Sequence, residues 1–272
     1  DRLSSISNLS CSSNPNIDTP WVFVAINGSK VDGHSVVDNA FENGAACAIV
    51  SKPITLRYQF PVIQVKDTSV ALSKAASQFY CEPSKEMMVI GVTGTNGKTT
   101  INWLIFEMLN KLSIPCSRLG TLGYKVGEVK GDIGLTTPDA VNIQKFLGLS
   151  RDKGCKSSVL EVSSHALSQK RVEDVAFDIA IYTNLTRDHL DYHSSFEDYR
   201  NAKEHLFTLL EQSAKREKYA VININCPFGK QLAERLSRSD GVKLITYGEA
   251  SDATIKIVKM DQSFSGSRVL FD

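Results

Sequence analysis

Hydrophobic and polar positions alternate in blocks along this chain, and the blocks have the lengths of strands and helices. From residue 86 onward, short apolar runs predict strands at 88–93, 157–162, 178–183, 219–224 and 243–247. Segments with helical periodicity lie between them and predict helices near 98–112, 140–153, 195–213 and 227–238. This alternation predicts an α/β fold with a mostly parallel sheet and helices on both of its faces.

The first part of the chain predicts a smaller α/β unit. Apolar runs predict strands at 21–26, 46–50 and 62–65, and a helix is expected over 36–43. Thr68 is expected to cap a second helix, which the Glu-Pro-Ser sequence at 82–84 ends. We therefore predict two domains, an N-terminal one over residues 1–84 and a larger one over residues 85–272.

The strand at 88–93 leads into a glycine turn and then into a helix. Residues 91–100 read Gly-Val-Thr-Gly-Thr-Asn-Gly-Lys-Thr-Thr. In such a turn the backbone N–H groups point into one concavity, and the helix start adds partial positive charge. Lys98 is expected to contact the β- and γ-phosphates, and Thr99 to bind Mg²⁺. The glycine spacing is not the generic one, but the position of the turn predicts a nucleoside triphosphate site.

The composition is that of an ordinary globular protein, and it argues against several classes. Hydrophobic residues make up 42%, charged residues 22%, and the net charge is +1, so no basic field indicates a nucleic acid or membrane partner. No apolar run approaches the roughly 18 residues that span a bilayer, and no signal peptide is expected. The six cysteines show no C-x-x-C spacing and are expected to be reduced thiols. We expect a cytoplasmic monomer.

Polar clusters follow two of the predicted strands, where ligands sit in parallel sheets. Glu161 ends the strand 157–162 and can hold a Mg²⁺ ion that bridges a triphosphate; the alternative is a surface salt bridge. The segment 183–193 places His189 and His193 on one helical turn. Zinc would need a third ligand that the sequence does not mark. A second Mg²⁺ or phosphate contacts fit better, and an ordinary polar loop stays open.

Three further groups carry weaker signals. Ser195 to Asp198 form a capping-box pattern, and the helix that follows places Lys203 on its apolar face. An unpaired cation there is costly, so the residues alone favour a salt-bridged or snorkelling lysine. The sequence of residues 134–139 is typical of a capped N-terminus of a helix. Gln169 and Arg171 could reach an anionic substrate or be solvated.

Four segments, in this order, resemble the Mur ligases of peptidoglycan synthesis: 91–100, 135–139, 160–165 and 183–193. The last three narrow the resemblance to the MurE-type branch, which adds the third residue of the stem peptide. Residues 21–51 are similar to the UDP-binding N-terminal domain of that branch. The resemblance implies a small UDP-binding α/β domain followed by a P-loop-type ATPase domain that is incomplete at residue 272, with the C-terminal ligase domain absent.

The resemblance also implies site residues. ATP would bind Gly94, Thr95, Asn96, Gly97, Lys98, Thr99 and Thr100. Mg²⁺ would be held by Thr99, Glu161, His189 and Lys203, with Lys203 carbamylated and with Lys98, His189 and Lys203 as the catalytic residues. The UDP-muramoyl dipeptide would contact Ser13, Ser29, Lys30, Val31, Thr136, Thr137, Ser163, Gln169 and Arg171. The family usually has Asp-Ser-Arg near residues 11–15, where this chain reads Cys-Ser-Ser-Asn-Pro, so only Ser13 keeps a role there.

The function implied by the resemblance is ATP-dependent ligation of a carboxylate to an amine. The D-Glu carboxylate of UDP-MurNAc-L-Ala-D-Glu would become an acyl phosphate and then react with meso-diaminopimelate or L-lysine; diaminopimelate is favoured as the commoner substrate. Residues 1–272 are expected to bind nucleotide and UDP-substrate but to ligate poorly. Two alternatives stay open: another member of the superfamily (a D-Ala-D-Ala-adding ligase or a folylpolyglutamate synthetase), or a non-catalytic UDP-sugar-nucleotide binding module.

Overall fold

A computed structural model describes residues 8–13, 15, 19–28, 31–188, 191–263 and 266–272 of the chain. Of the predicted site residues, Ser29, Lys30 and His189 lie outside the described residues.

The N-terminal part folds around a four-stranded parallel sheet. Its strands are β1 (Asn8–Ser10), β2 (Trp21–Val24), β3 (Ala45–Val50) and β4 (Val62–Gln64), and they lie side by side in chain order. A 3₁₀ turn (Gly33–Val36) leads into α1 (Val37–Glu42), and α2 (Thr68–Phe79) follows β4. One face of the sheet packs on α1 through Trp21 and Phe23, and the other packs on α2 through Leu9 and Val24.

The prediction that Thr68 caps α2 was wrong by one residue, because the N-cap is Asp67. The Asp67 side chain accepts hydrogen bonds from the N–H groups of Ser69 and Val70, at 2.8 and 3.1 Å. Asp67 is extended, with φ −149°, whereas Thr68 is the first residue of the helix and is buried. The N-cap needs a non-helical backbone, and a carboxylate there also interacts favourably with the helix dipole, so Asp67 takes the position.

The second part of the chain carries a ten-stranded sheet. A 3₁₀ turn (Pro83–Lys85) precedes β5 (Met88–Thr93), α3 (Lys98–Lys111), β6 (Cys116–Gly120), β7 (Gly123–Val126), β8 (Val129–Gly131), α4 (Ala140–Asp152), β9 (Ser157–Glu161) and α5 (Ser164–Ser168). These are followed by β10 (Ile179–Tyr182), α6 (Phe196–Gln212), β11 (Tyr219–Asn223), α7 (Pro227–Leu236), β12 (Lys243–Gly248), β13 (Ile255–Ser263) and β14 (Gly266–Phe271). The strand order is β14-β13-β12-β11-β10-β5-β9-β6-β7-β8.

The centre of this sheet is parallel, as the alternation of strands and helices predicts. Helices cover both faces: α4, α5, α6 and α7 pack on one, and α3 packs on the other. The register places Thr93 of β5 beside Tyr182 of β10, and Val92 beside Glu161 of β9. The carboxyl ends of three adjacent strands therefore meet at one edge, with β5 in the middle.

Several elements were not predicted. The strands β6, β7 and β8 form an antiparallel meander in which glycines interrupt the apolar pattern. The helix α5 is too short to show a period, and its start depends on Ser163, whose hydroxyl accepts from the Ala166 N–H at 3.2 Å. The hairpin of β13 and β14 is exposed along most of its length, so burial imposes little pattern on it.

The two sheets are joined by helix packing and by polar contacts. Helices α2 and α4 pack together, and Lys170 forms an ion pair of 2.7 Å with Asp67. The boundary between residues 84 and 85 stays a prediction. Among the helices in the described ranges, none combines the length and the hydropathy that a bilayer crossing requires.

Candidate functional site

The glycine loop between β5 and α3 is held against the end of β10. Gly94 and Gly97 have φ values of +146° and +85°, which residues with a Cβ rarely adopt. A Cβ on Gly94 would overlap the Thr183 hydroxyl oxygen. That hydroxyl donates to the Asn96 carbonyl at 2.6 Å, and the Asn184 side-chain oxygen accepts from the Asn96 N–H at 2.9 Å. The loop can approach β10 this closely only because position 94 is glycine.

Lys98 lies over the loop that precedes it. Its ammonium group donates to the carbonyl oxygens of Gly94 and Thr95, both at 2.9 Å. Burial lowers the pKa of Lys98, while the negative charges of Glu161 and Asp188 act in the opposite direction. The first residue of α3 thus brings a positive charge to the helix N-terminus, where an anion is favoured.

Lys203 approaches the same loop from α6. Its side chain is 1% exposed, its ammonium donates to the Gly94 carbonyl at 2.8 Å, and it lies 4.5 Å from the centre of the Tyr199 ring. Burial, with a further contribution from the charge of Lys98, lowers the pKa of Lys203 from 10.5 to about 7. The salt-bridged or snorkelling lysine that the residues alone favour was therefore wrong: within the described chain, Lys203 is enclosed and forms no ion pair.

Glu161 faces the start of α3 from the end of β9. Its carboxylate accepts from the Thr99 hydroxyl at 2.8 Å, from the Thr121 N–H at 2.9 Å and from the Thr121 hydroxyl at 3.1 Å. Glu161 is 1% exposed, so the alternative of a surface salt bridge is excluded. A carboxylate and a hydroxyl in contact are the oxygen ligands that Mg²⁺ prefers. The described residues contain no group of three or more His, Cys, Asp or Glu side chains placed to hold a metal.

Four of the predicted substrate contacts, Thr137, Ser163, Gln169 and Arg171, belong to one hydrogen-bonded group. The Thr137 hydroxyl donates to the Glu161 carbonyl at 2.8 Å and accepts from the Ser163 N–H at 3.1 Å. The Arg171 guanidinium donates to the Thr137 carbonyl and to the Gln169 side-chain oxygen, both at 2.5 Å. Gln169 in turn donates to the Tyr192 hydroxyl at 3.0 Å. These bonds fix Arg171 beside the 134–139 segment that precedes α4.

A cavity of about 220 Å³ lies where these groups meet. Its lining residues are Lys98, Leu135, Thr136, Thr137, Ser163, Ser164, His165, Arg171 and Lys203. The structure therefore brings the predicted nucleotide-binding lysine, the buried second lysine and four of the predicted substrate contacts to one cavity.

Other predicted residues lie elsewhere. Ser13 is in the small unit, where its carbonyl accepts from the Asn43 amide at 3.2 Å, and Val31 is 57% exposed. Asn96 is bound to Asn184, and Thr95 to the Tyr199 hydroxyl at 3.0 Å.

A second cavity of about 640 Å³ opens between the two sheets. Its lining residues are Ile26, Asn27, Gly28, Ser69, Ser168, Gln169, Arg171, Tyr192 and Asp198.

The sequence reasoning missed Thr121, which makes two of the three hydrogen bonds of the Glu161 carboxylate. Thr121 directly follows β6, so the rule that functional groups follow the ends of strands would have marked it if β6 had been recognised. The role of Asn184 in holding the loop was also missed, because nothing local to residue 184 points to residue 96.

A strand, a glycine loop and a helix at the centre of a mainly parallel sheet define the chain as an α/β protein of the P-loop type. The chain belongs to the Mur ligase family. Residues 92–272 match the family model for the Mur ligase middle domain, and residues 17–80 match the model described as the Mur ligase family catalytic domain.

Two relatives show how far the similarity extends. The chain is 42% identical over 248 residues to the UDP-N-acetylmuramoyl-L-alanyl-D-glutamate–2,6-diaminopimelate ligase of Oceanobacillus iheyensis, covering 90% of this chain and 50% of that protein. It is 40% identical to the ligase of the same name from Aquifex aeolicus, covering 91% of this chain and 48% of that protein. The chain thus spans about half the length of these relatives.

Solved structures give the same result for the fold. A UDP-N-acetylmuramoyl-L-alanyl-D-glutamate–2,6-diaminopimelate ligase superposes with a TM-score of 0.84 at 28% identity, covering 98% of this chain and 53% of the other. The MurF ligase of Thermotoga maritima, solved in complex with ADP, superposes with a TM-score of 0.59 at 19% identity, covering 100% of this chain and 56% of the other. At that identity the second match concerns the fold alone.

Proposed function

We propose that this chain provides the nucleotide-binding and acceptor-binding parts of an ATP-dependent ligase that joins a diamino acid to UDP-MurNAc-L-Ala-D-Glu. The observation that carries the proposal is the 220 Å³ cavity, because it is lined both by Lys98 of the glycine loop and by Thr137, Ser163 and Arg171. A ligase of this kind has to place a phosphoryl donor and an anionic acceptor next to each other.

The residues of the loop fit a triphosphate. Lys98 supplies positive charge at a helix N-terminus, and it now donates to two carbonyl oxygens that phosphate oxygens can replace as acceptors. Thr99 and Glu161 would hold Mg²⁺. ATP and Mg²⁺ together would supply the phosphoryl group and neutralise its charge, so that the D-Glu carboxylate becomes an acyl phosphate open to attack by an amine.

The acceptor side fits an anionic substrate. Arg171 is held by short hydrogen bonds to the Thr137 carbonyl and to the Gln169 side-chain oxygen, so little side-chain freedom is lost when it binds a carboxylate. The larger cavity between the sheets continues from Gln169 and Arg171 to Ile26, Asn27 and Gly28 of the small unit. We assign the UDP portion of the substrate to that side, with Ser13, Ser29, Lys30 and Val31 as further candidates.

Lys203 is suited to carbamylation. Only a neutral amine reacts with CO₂, and burial lowers the pKa of Lys203 to about 7, so the neutral amine is far more accessible near neutral pH than in an exposed lysine. In this reaction an N–C bond forms, a proton is released, and a buried cation becomes a carboxylate-like anion. Such a group would join Glu161, and His189 as a further candidate, around Mg²⁺.

Diaminopimelate is the amino acid we favour. The two relatives described above carry it in their names at 42% and 40% identity. A non-catalytic sugar-nucleotide module would not need Lys98, Glu161 and Lys203 to converge on one loop. The similarity to the MurF ligase is lower, at 19% identity, which argues against the D-Ala-D-Ala-adding alternative.

Calorimetric titration of the 272-residue chain tests the proposal. We expect it to bind MgADP and, separately, UDP-MurNAc-L-Ala-D-Glu. Lys98→Ala is expected to weaken MgADP binding, and Arg171→Gln to weaken binding of the UDP-dipeptide. Arg238→Gln is the matched control, because Arg238 pairs with Glu234 on the exposed surface. Equal affinity for UDP-GlcNAc and for the UDP-dipeptide would favour the binding-module alternative and refute ours.

A further inference from the structure

Two basic side chains of the large sheet face one aromatic ring. Arg118 of β6 lies directly opposite Lys125 of β7 in the antiparallel register. The Arg118 guanidinium carbon is 5.7 Å from the centre of the Phe106 ring, and the Lys125 ammonium nitrogen is 5.5 Å from it. Lys125 in turn lies opposite Lys130 of β8. Residues directly opposite each other share a face of the sheet, so three cations form a row across three strands.

This row is electrostatically unfavourable as it stands. Like charges directly opposite each other on neighbouring strands destabilise a sheet. Within the described residues, none of the three forms an ion pair, and the Arg118 Nε atom is buried without a hydrogen-bond partner. The face of Phe106 attracts both nearby cations, but a ring quadrupole does not neutralise their charge. The row therefore lacks a negative counterpart.

The row is separate from the nucleotide loop. Phe106 is eight residues further along α3 than Lys98, which corresponds to about 12 Å along the helix axis. The row also lies near the β8 end of the strand order, at the opposite end of the sheet from β13 and β14. None of its members lines the 220 Å³ cavity.

We propose that Arg118, Lys125 and Lys130 form a second anion site, which takes a tetrahedral oxyanion such as phosphate or the phosphate group of a small phosphomonoester. Such an anion offers several acceptors to the planar fork of Arg118. It also places negative charge between side chains that otherwise repel each other. A dianion matches a row of three cations better than the single charge of a carboxylate does.

A soluble phosphate fits better than a membrane surface. Lys130 is exposed, but Arg118 and Lys125 are half-buried beside Phe106. A planar lipid surface would reach the outer lysine and leave the buried Nε atom of Arg118 without an acceptor. A small oxyanion can instead lie between the ends of all three side chains on this face of the sheet.

Calorimetric titration with inorganic phosphate tests this site, with Lys98→Ala as the background so that the glycine loop does not contribute. We expect one phosphate per chain in that background, and an affinity reduced roughly tenfold or more by Lys125→Gln. Arg118→Gln is expected to do the same. Lys145→Gln is the matched control, because Lys145 is an exposed lysine of α4, on the opposite face of the sheet.

Three results would overturn the inference: no phosphate binding in the Lys98→Ala background, unchanged affinity in Lys125→Gln, or binding only to vesicles that contain phosphatidylglycerol. Circular dichroism shows whether Arg118→Gln folds. If that variant does not fold, the phosphate affinity of Lys125→Gln alone tests the site. MgADP binding is measured in parallel, with the Lys98 side chain intact. It should be unchanged in Lys125→Gln, so that failure of this site and failure of the proposed nucleotide site give different results.

Discussion

The ammonium groups of Lys98 and Lys203 donate to one and the same acceptor, the carbonyl oxygen of Gly94, at 2.9 and 2.8 Å. Lys98 comes from the helix that follows the glycine loop, and Lys203 comes from α6, more than a hundred residues later. Burial lowers the pKa of both side chains, and the charge of Lys98 lowers that of Lys203 further. The two lysines are therefore coupled through space, and their protonation affects both stability and chemistry.

The first prediction concerns stability and pH. The pKa of Lys203 falls from 10.5 to about 7 on folding. Between these values the unfolded chain binds more protons than the folded chain, so this group makes stability rise with pH from about 7 towards 10. In CO₂-free buffer we expect the wild type to gain about 2 kcal/mol relative to Lys203→Met between pH 7 and pH 9. Urea unfolding at both pH values measures it.

The control for this experiment is Lys145→Met, which removes an exposed lysine and should show the wild-type pH dependence. A difference between wild type and Lys203→Met that stays constant from pH 7 to pH 9 would show that Lys203 keeps its ordinary pKa.

The second prediction concerns carbamylation. In Lys98→Ala one cause of the low pKa of Lys203 is removed, so this pKa should rise and less of the amine should be neutral at pH 7. We expect a weaker carbamate signal in ¹³C NMR with ¹³C-labelled bicarbonate than in the wild type. Lys203→Ala should have no such signal. A carbamate signal in Lys98→Ala as strong as in the wild type would contradict the effect of the Lys98 charge on the pKa of Lys203.

The third prediction concerns Mg²⁺. Glu161→Gln keeps the size of the side chain. Its one remaining oxygen can still accept from the Thr121 N–H, while its amide group can donate to the hydroxyl oxygens of Thr99 and Thr121. It removes the charge that a divalent cation needs. We expect ADP binding with Mg²⁺ to weaken roughly tenfold or more, with little change for ADP in the presence of EDTA. Calorimetry under both conditions separates the two effects. Equal weakening with and without Mg²⁺ would indicate a structural role for Glu161.

The fourth prediction concerns the N-terminus of α7. Cys226 is the N-cap, and its sulfur accepts from the Gly229 N–H at 3.4 Å and lies 3.1 Å from the buried Tyr182 hydroxyl. Sulfur is a weak acceptor, whereas serine is among the preferred N-cap residues. We expect Cys226→Ser to raise the free energy of unfolding by about 0.5–1 kcal/mol. Cys226→Ala should lower it by about 1–3 kcal/mol, because Tyr182 loses its partner. Urea unfolding checks both, and a destabilised serine variant would contradict the weak-cap argument.

The predicted elements that the structure confirms share one property: their pattern arises from burial. The strands β5 and β9 are almost completely buried, and β10 and β11 alternate between buried and half-buried residues, so all four were recognised. The meander of β6, β7 and β8 and the hairpin of β13 and β14 were missed, because glycines or exposure break the pattern. Because β6, β7 and β8 were not predicted, Thr121 and the row of Arg118, Lys125 and Lys130 were not recognised either.

The chemistry of the site was visible only in part. The glycine loop is a local feature, so Lys98 and Thr99 could be assigned from residues 91–100 alone. Lys203 could not be interpreted from its helix, because a lysine on an apolar face can snorkel or be buried. Its burial depends on Tyr199 and on the loop around Gly94, which lies more than a hundred residues earlier in the chain and contacts α6 only in the tertiary structure.

The sequence by itself determined the order of the buried strands and long helices, the glycine loop and the positions of the polar clusters at the ends of the recognised strands, because each depends on residues close together in the chain. Tertiary structure alone decided that Lys98 and Lys203 share one acceptor, that Glu161 faces Thr99 and Thr121 away from solvent, and that Arg118 opposes Lys125. These relationships follow from strand order, register and burial. A sequence pattern does not specify them, because they join residues whose separation in the chain carries no information about their separation in space.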